Sequence, residues 1–456
     1  MDKARVREIV ERWVIPSPGS SYMGGIEERP VLASGHGSTV VDTTGKEYLD
    51  FQSGQMGAAL GHSHPRVMAA IQEATRTFVH ASNTLLNVPR LRLHERLGQL
   101  LVPPLQKSLF LVTGSDSIEA SVDLARKATG GLEILGLHDG LHGSTSFISR
   151  SLSFAWSRRK HAAVAPATSA IFAPYCYRCP VASTFPKCEF LCLTSSLELA
   201  DANLTAQPAA VIAEPVLSAG GVIVPPPGYF KALRQACQER GMLMILDEAQ
   251  TGLGKCGKMF AFQHEDVVPD ILALSKHFGG GLPVSAVCTT AEIADRAVAR
   301  GYFATRSHAT DPILCAAGLA SLDVIVDEDL PGRAARIERR MKAGFEEMAK
   351  EFEIIGDIRG RGVLLGVELV TDRERKTPAN KETDAIARRC LEAGLIFQIR
   401  GGGPGRANVL RFVPPMTTSD VEIDRALSIL HDAFTAAAGR KSPVGKPSSV
   451  TGSLSR

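Results

Sequence analysis

The chain has 456 residues, 44% hydrophobic and 22% charged, with a net charge of +3. That length supports a large core and two or three subdomains. The near-balanced charge gives no footing for a nucleic-acid partner. The apolar runs fall far short of a membrane span, and the charged start MDKARVREIVERWVIP lacks the apolar stretch of a secretory signal.

Residues 1 to about 30 read as an amphipathic helix and a Pro/Gly/Ser loop. Alternating apolar residues from Val31 to Asp50 predict a small meander with a Gly turn. Next comes DFQSGQMGAALGHSHP, whose small residues imply a loop that something else approaches closely. Helices are predicted over Pro65–Phe78 and Pro89–Leu101, and a strand over Leu109–Val112. In TGSDSIEASVDLARKATG, Gly114, Ser115 and Asp116 open a helix with Ile118, Val122 and Ala125 on one face. Its free N–H groups and positive dipole end make a phosphate site. Glu133–Leu137 is the next strand, ending in HDGLHGST.

Nine cysteines, an odd number, fit a reduced, cytoplasmic setting better than a disulfide framework. Four of them, Cys176, Cys179, Cys188 and Cys192, cluster in PYCYRCPVASTFPKCEFLC. Their C-x2-C-x8-C-x3-C spacing is close to that of a zinc ribbon. A structural zinc therefore stands beside the plainer reading, an ordered surface insertion with buried thiols. Ala209–Glu214 is a strand and Tyr229–Arg240 a helix, and the repeated strand–helix order predicts a mostly parallel sheet.

Met242 to Asp247 is apolar until the acid, as in a buried parallel strand ending in a carboxylate. Ligands of open α/β sheets lie at that end of the strands. A second apolar run, Ile271–Leu274, delivers Ser275 and Lys276, then three glycines. A buried lysine tends to lose its charge, and the neutral amine is the species that condenses with a carbonyl. Lys276 and Asp247 together suggest pyridoxal phosphate (PLP), the lysine forming a Schiff base and the acid pairing with the ring nitrogen. The alternative is a snorkelling Lys and a helix-capping Asp. Beyond Asp327 a charged helix runs through Glu351, and IGDIRGRGVLLGVELV reads as a hairpin. Residues 439–456 read as a disordered tail.

LDEAQTGLG and LSKHFGGGLP resemble the cofactor segments of class III (subgroup II) aminotransferases, and the likeness spans roughly Thr39 to Phe434. It implies an α/β protein of PLP fold type I: an N-terminal arm and small-domain segment (1–64), a large mostly parallel sheet domain (65–325) and a smaller α+β C-terminal domain (326–438). Within that family the dialkylglycine decarboxylase branch is most similar, because Gln55 matches its distinguishing glutamine. The resemblance implies that Gly114, Ser115, and Ser307 from a second copy hold the phosphate. His142 matches the family's histidine, Ala249 packs on one ring face, and Gln250 meets the ring 3-hydroxyl. Arg411, in VLRFVPPMT, holds the substrate carboxylate. Leu141 stands where relatives have a stacking aromatic, Ser144 where the decarboxylase has Met, and Ala219 where it has Ser, which bears on substrate range. An alkali cation (K+ or Na+) would use Ala81, Asn83, Ser307, Ala309 and Asp311. The implied activity is decarboxylating transamination of an α,α-disubstituted amino acid with a keto acid such as pyruvate, in a homodimer or homotetramer with shared sites. The alternatives are ordinary ω-amino acid or amine transamination and a non-catalytic scaffold.

Overall fold

The computed structural model describes residues 2–15, 21–145, 147–154, 165–401 and 405–439. The expected tail lies outside them from residue 440 onward. After a helix at Lys3–Trp13, the alternating stretch forms β1 (Leu32–His36), β2 (Thr39–Asp42) and β3 (Glu47–Asp50), paired antiparallel in turn.

Seven strands build the main sheet: β4 (Lys107–Leu111), β5 (Glu133–Leu137), β6 (Thr168–Ile171), β7 (Pro208–Ala213), β8 (Leu243–Asp247), β9 (Ile271–Leu274) and β10 (Ser285–Thr289). Their order is β4-β10-β9-β8-β7-β5-β6. β6, β5, β7, β8 and β9 run parallel, while β10 runs antiparallel to both of its neighbours. The unbroken apolar runs follow from burial on both faces. Ile134, Ala210, Ile245 and Ile271 pack beneath the helix Gly114–Thr129, against its Ile118, Val122 and Ala125. Leu135, Val211, Leu246 and Leu272 face the larger core on the other side.

The hairpin read from the sequence is β11 (Ile355–Arg361) and β12 (Leu364–Asp372), with β13 (Thr377–Pro378) added to β12. β14 (Leu395–Ile396) pairs parallel with β3, tying the N-terminal meander to the C-terminal segment. β15 (Gln398–Arg400) and β16 (Val409–Phe412) complete the order β11-β12-β16-β15. The register sets Arg411 opposite Gln398 on one side and Gly366 on the other. Among the described residues no helix is long and apolar enough to cross a membrane.

Candidate active site

The carboxyl ends of five strands converge on one edge of the main sheet. β4 delivers Thr113 to Ser115, β5 leads to His142, β7 to Glu214, β8 ends at Asp247, and β9 hands over to Ser275 and Lys276. Asp247 is buried. Its Oδ2 meets His142 Nδ1 at 2.8 Å, and its Oδ1 accepts from the Ala249 N–H at 3.0 Å. The adjacent strand β9 places Ala273 level with Asp247. Lys276, three residues on, has φ +60°, a left-handed conformation that side chains avoid unless the surroundings impose it. Burial, then the neighbouring Arg411 guanidinium, pulls the Lys276 ammonium below its ordinary pKa, against the pull of Asp247. The shift runs in the direction expected from the apolar flanks, toward easier loss of the ammonium proton.

Thr113 caps the helix Gly114–Thr129: its hydroxyl accepts from the Asp116 N–H, and Asp116 returns the bond. The first-turn N–H groups point at the sheet edge, where the helix dipole favours an anion. A Cβ at Gly114 would stand 3.3 Å from Ser275 Oγ, so this helix start packs closely on the segment bearing Lys276. The Ser115 hydroxyl accepts from the Ser144 N–H at 3.3 Å.

Arg411 is 1% exposed. Its Nη1 donates to Ser218 Oγ at 2.7 Å, and its Nη2 donates to Gln398 Oε1. Arg400 Nη2 donates to the same Gln398 oxygen at 2.8 Å. Among the described residues neither guanidinium has a carboxylate at ion-pair distance, and the Nε of each is buried with no partner. Burial, with Arg400 alongside, penalises the Arg411 charge. A guanidinium keeps its proton in proteins, so the site is left short of an anion. Glu214 does not close the gap. Its oxygens accept from the Leu141 and Ser218 N–H groups at 2.9 and 3.2 Å. Burial pushes its carboxyl up to about 7.

The structure thus brings together Gly114, Ser115, His142, Asp247, Ala249, Gln250, Lys276 and Arg411. Leu141 is half-buried, Ala219 is buried and Ser144 is exposed. Ser218, next to Ala219, supplies the polar contact to Arg411, so losing one serine of the expected pair does not strip the arginine of a partner. Ser307 is exposed. Gln55 sits exposed in a turn where Ser53, Gly54, Gln55 and Met56 all have positive φ, and among the described residues its side chain has no hydrogen-bond partner.

The expected cation ligands do gather. The Ala81 N–H donates to Asp311 Oδ1 at 3.4 Å, and Asn83 Nδ2 reaches the Arg306 carbonyl at 3.2 Å. Yet both Asp311 oxygens are taken by imidazoles, His80 Nδ1 and His308 Nδ1, each at 2.7 Å.

Sequence reasoning missed Gln398, Arg400, His80, His308 and Lys255. Gln398 and Arg400 left one trace: polar residues two apart in the apolar run IFQIR share a strand face. The residues present do fit PLP. Gln250 Oε1 and His142 Nε2 are buried with no partner, Asp247 waits at a strand end, and a capped helix start faces the same edge.

A family model for class-III aminotransferases matches residues 27–434. Acetylornithine aminotransferase of Methanopyrus kandleri is 32% identical over 431 residues, covering 94% of this chain and 99% of the relative. Leucine/methionine racemase of Thermococcus litoralis is 33% identical, covering 94% and 96%. Among solved structures, a PLP-bound amine transaminase from an uncultivated Pseudomonas species superimposes with a TM-score of 0.83 at 30% identity, over 92% of this chain and 97% of that one. On the extent of these matches, the chain belongs to the class-III aminotransferases.

Proposed function

We propose that this protein is a PLP-dependent aminotransferase moving an amino group from a small amine or ω-amino acid to a keto acid. The observation that carries the reading is the juxtaposition of Lys276, its ammonium pKa lowered by burial, with the Asp247–His142 pair at the edge of the main sheet and with the anion-seeking Arg411 of the C-terminal sheet. When bound, PLP supplies a ring that absorbs the electron pair left when a bond at the substrate carbon breaks. Lys276 would anchor the cofactor, and its free amine would move a proton at that carbon. Asp247, held by His142 and the Ala249 N–H, would pair with the ring nitrogen. Gln250 Oε1 would accept from the ring hydroxyl, and Gly114 and Ser115 with the helix start would hold the phosphate. Ser307 of a second copy would reach the same phosphate. Arg411 grips the keto acid carboxylate, with Ser218 and Gln398 fixing the fork.

The decarboxylating course has no support among the similar proteins, which are named as aminotransferases, an amine transaminase and a racemase. The test offers the enzyme 4-aminobutyrate with a keto acid, 2-aminoisobutyrate with pyruvate, and L-leucine alone. Amine transfer in the first mixture supports the proposal. Carbon dioxide in the second without transfer in the first, or racemised leucine as the main product, would overturn it. Gln55→Ala should lower amine transfer less than about tenfold, the scale of a polar contact outside the reacting atoms.

A further inference from the structure

The four clustered cysteines take no part in the proposed reaction, yet the fold draws them together. Cys176 opens a single 3-10 turn, Cys176–Arg178, and Cys179 follows it. Cys188 lies at the end of the loop, its N–H donating to the Thr184 carbonyl at 3.0 Å, and Cys192 sits in the first turn of the helix Leu191–Asn203. All four are free, and all four line one small cavity of about 20 Å³. That is room for a single water-sized sphere. Cys192 lies within electrostatic reach of the other three.

Three further features suit a thiolate cluster. The Ser183 N–H donates to Cys179 Sγ at 3.4 Å, so a backbone donor already faces one sulfur of the cluster. The cavity next to it, lined by Cys176 and Cys179, is rimmed by Arg178, Arg375, Lys376 and Arg406, a positive surround for the double negative charge of a metal held by four thiolates. The loop is also a joint. Tyr175 Oη donates to Glu368, Arg178 Nε donates to Glu368 Oε1 at 2.6 Å, and Lys376 Nζ donates to the Tyr177 carbonyl at 2.6 Å. The cysteine loop is thereby fastened to β12 and to the turn that follows it.

We propose that Cys176, Cys179, Cys188 and Cys192 bind one zinc ion that staples this loop and so fixes how the C-terminal sheet sits on the main sheet. Among the described residues no three of the sulfurs lie within 4.8 Å of one another. Tetrahedral zinc needs sulfurs about 3.8 Å apart, given Zn–S bonds of about 2.3 Å. Binding therefore turns the side chains inward about their Cα–Cβ bonds and releases the thiol protons to solvent, with no change of oxidation state. The inference does not depend on the reaction proposed above.

The test is the metal content of the full-length purified protein by plasma mass spectrometry. The expected result is one zinc per chain, released when a mercurial titrates the thiols, and absent from a Cys179→Ser/Cys188→Ser double variant. Cobalt added in place of zinc should give a thiolate-to-cobalt charge-transfer band. Should the double variant fail to fold, the wild-type release experiment still decides. Zinc far below one per chain, with Cys176, Cys179, Cys188 and Cys192 all alkylated in zinc-supplemented native protein, overturns the proposal. Iron with inorganic sulfide in place of zinc overturns it as well.

Discussion

Lys255 gives the sharpest test of the electrostatics around the site. It is 0% exposed, and its amine donates to the Met56 carbonyl at 2.9 Å. Burial, with Lys276 nearby, pulls its pKa well below the ordinary lysine value. An amine depressed in this way binds fewer protons in the folded chain than in the unfolded one. Stability then rises with pH between the folded and unfolded pKa values, by about 1.4 kcal/mol per pH unit, or about 2.7 kcal/mol over two units. Lys255→Met keeps an unbranched chain of similar length and removes that proton. It also leaves the Met56 carbonyl unpaired, at a cost of about 1–3 kcal/mol that does not vary with pH. The advantage of wild type over variant should therefore grow with pH at the slope given above, while every group common to both cancels. Urea midpoints for the two proteins at matched pH, converted with a common slope, measure this directly. Parallel lines would mean that Lys255 is charged in the fold, and the argument for an electrostatically starved site would fail with it. Activity should fall too, because the bond to Met56 holds the left-handed turn at Ser53–Met56, each residue of which costs about 1–3 kcal/mol to keep there unless it is glycine.

Asp247→Asn should lower the rate of amine transfer about 10²–10³-fold, the usual effect of losing one preorganised charge contact, with the His142 hydrogen bond altered at the same time; kcat under saturating substrate measures it. Arg411→Gln should raise KM for the keto acid by roughly 10–100-fold, as expected for about 1.5–3 kcal/mol of charged hydrogen bonding, with a smaller effect on KM for an amine lacking a carboxylate. Glu368→Gln strikes the joint between the cysteine loop and the C-terminal sheet. Glu368 is buried and pairs with Arg178 at 2.6 Å and with Arg359 at 2.8 Å. Breaking it leaves Arg178 without a carboxylate, while Arg359 keeps Asp357 at 2.6 Å, so denaturant unfolding should show a loss of about 3 kcal/mol, the low end for a broken buried pair.

Local apolar runs carried most of the fold in the sequence. β5 and β9 fall where Glu133–Leu137 and Ile271–Leu274 predict them, and the helix from Gly114 starts at its predicted residue, because a turn, a cap and a periodic face agree there. The antiparallel direction of β10 was not legible: a strand buried on both faces has the same composition whichever way it runs. The site was legible to the extent that its residues end apolar runs, as Asp247 and Lys276 do. Gln398 and Arg400 were not, because their role depends on pairing with β16, 11 residues beyond Arg400 at Arg411. His80 and His308 were not legible for a related reason: they come from two separate segments and meet only in the folded chain.

The net charge of +3 conceals how unevenly charge is spread. Arg400 and Arg411 of the C-terminal sheet stand together within electrostatic reach of Lys276 at the main sheet's edge. The acids near them are committed elsewhere: Asp247 to His142, and Glu214 to two backbone N–H groups, with its carboxyl pushed up to about 7. A folded chain gains nothing from gathering buried positive charge without counter-ions. The cost is recovered when anions arrive, and the proposed function gives them two seats: the capped helix start at Gly114 for a phosphate and the Arg411 fork for a carboxylate. A phosphorylated cofactor and a carboxylate substrate together would neutralise the excess, and each should bind more weakly without the other. Weaker keto acid binding to cofactor-free enzyme than to enzyme carrying the aminated cofactor, by calorimetry, is the expected sign of that coupling; equal affinities would show that the two seats act independently.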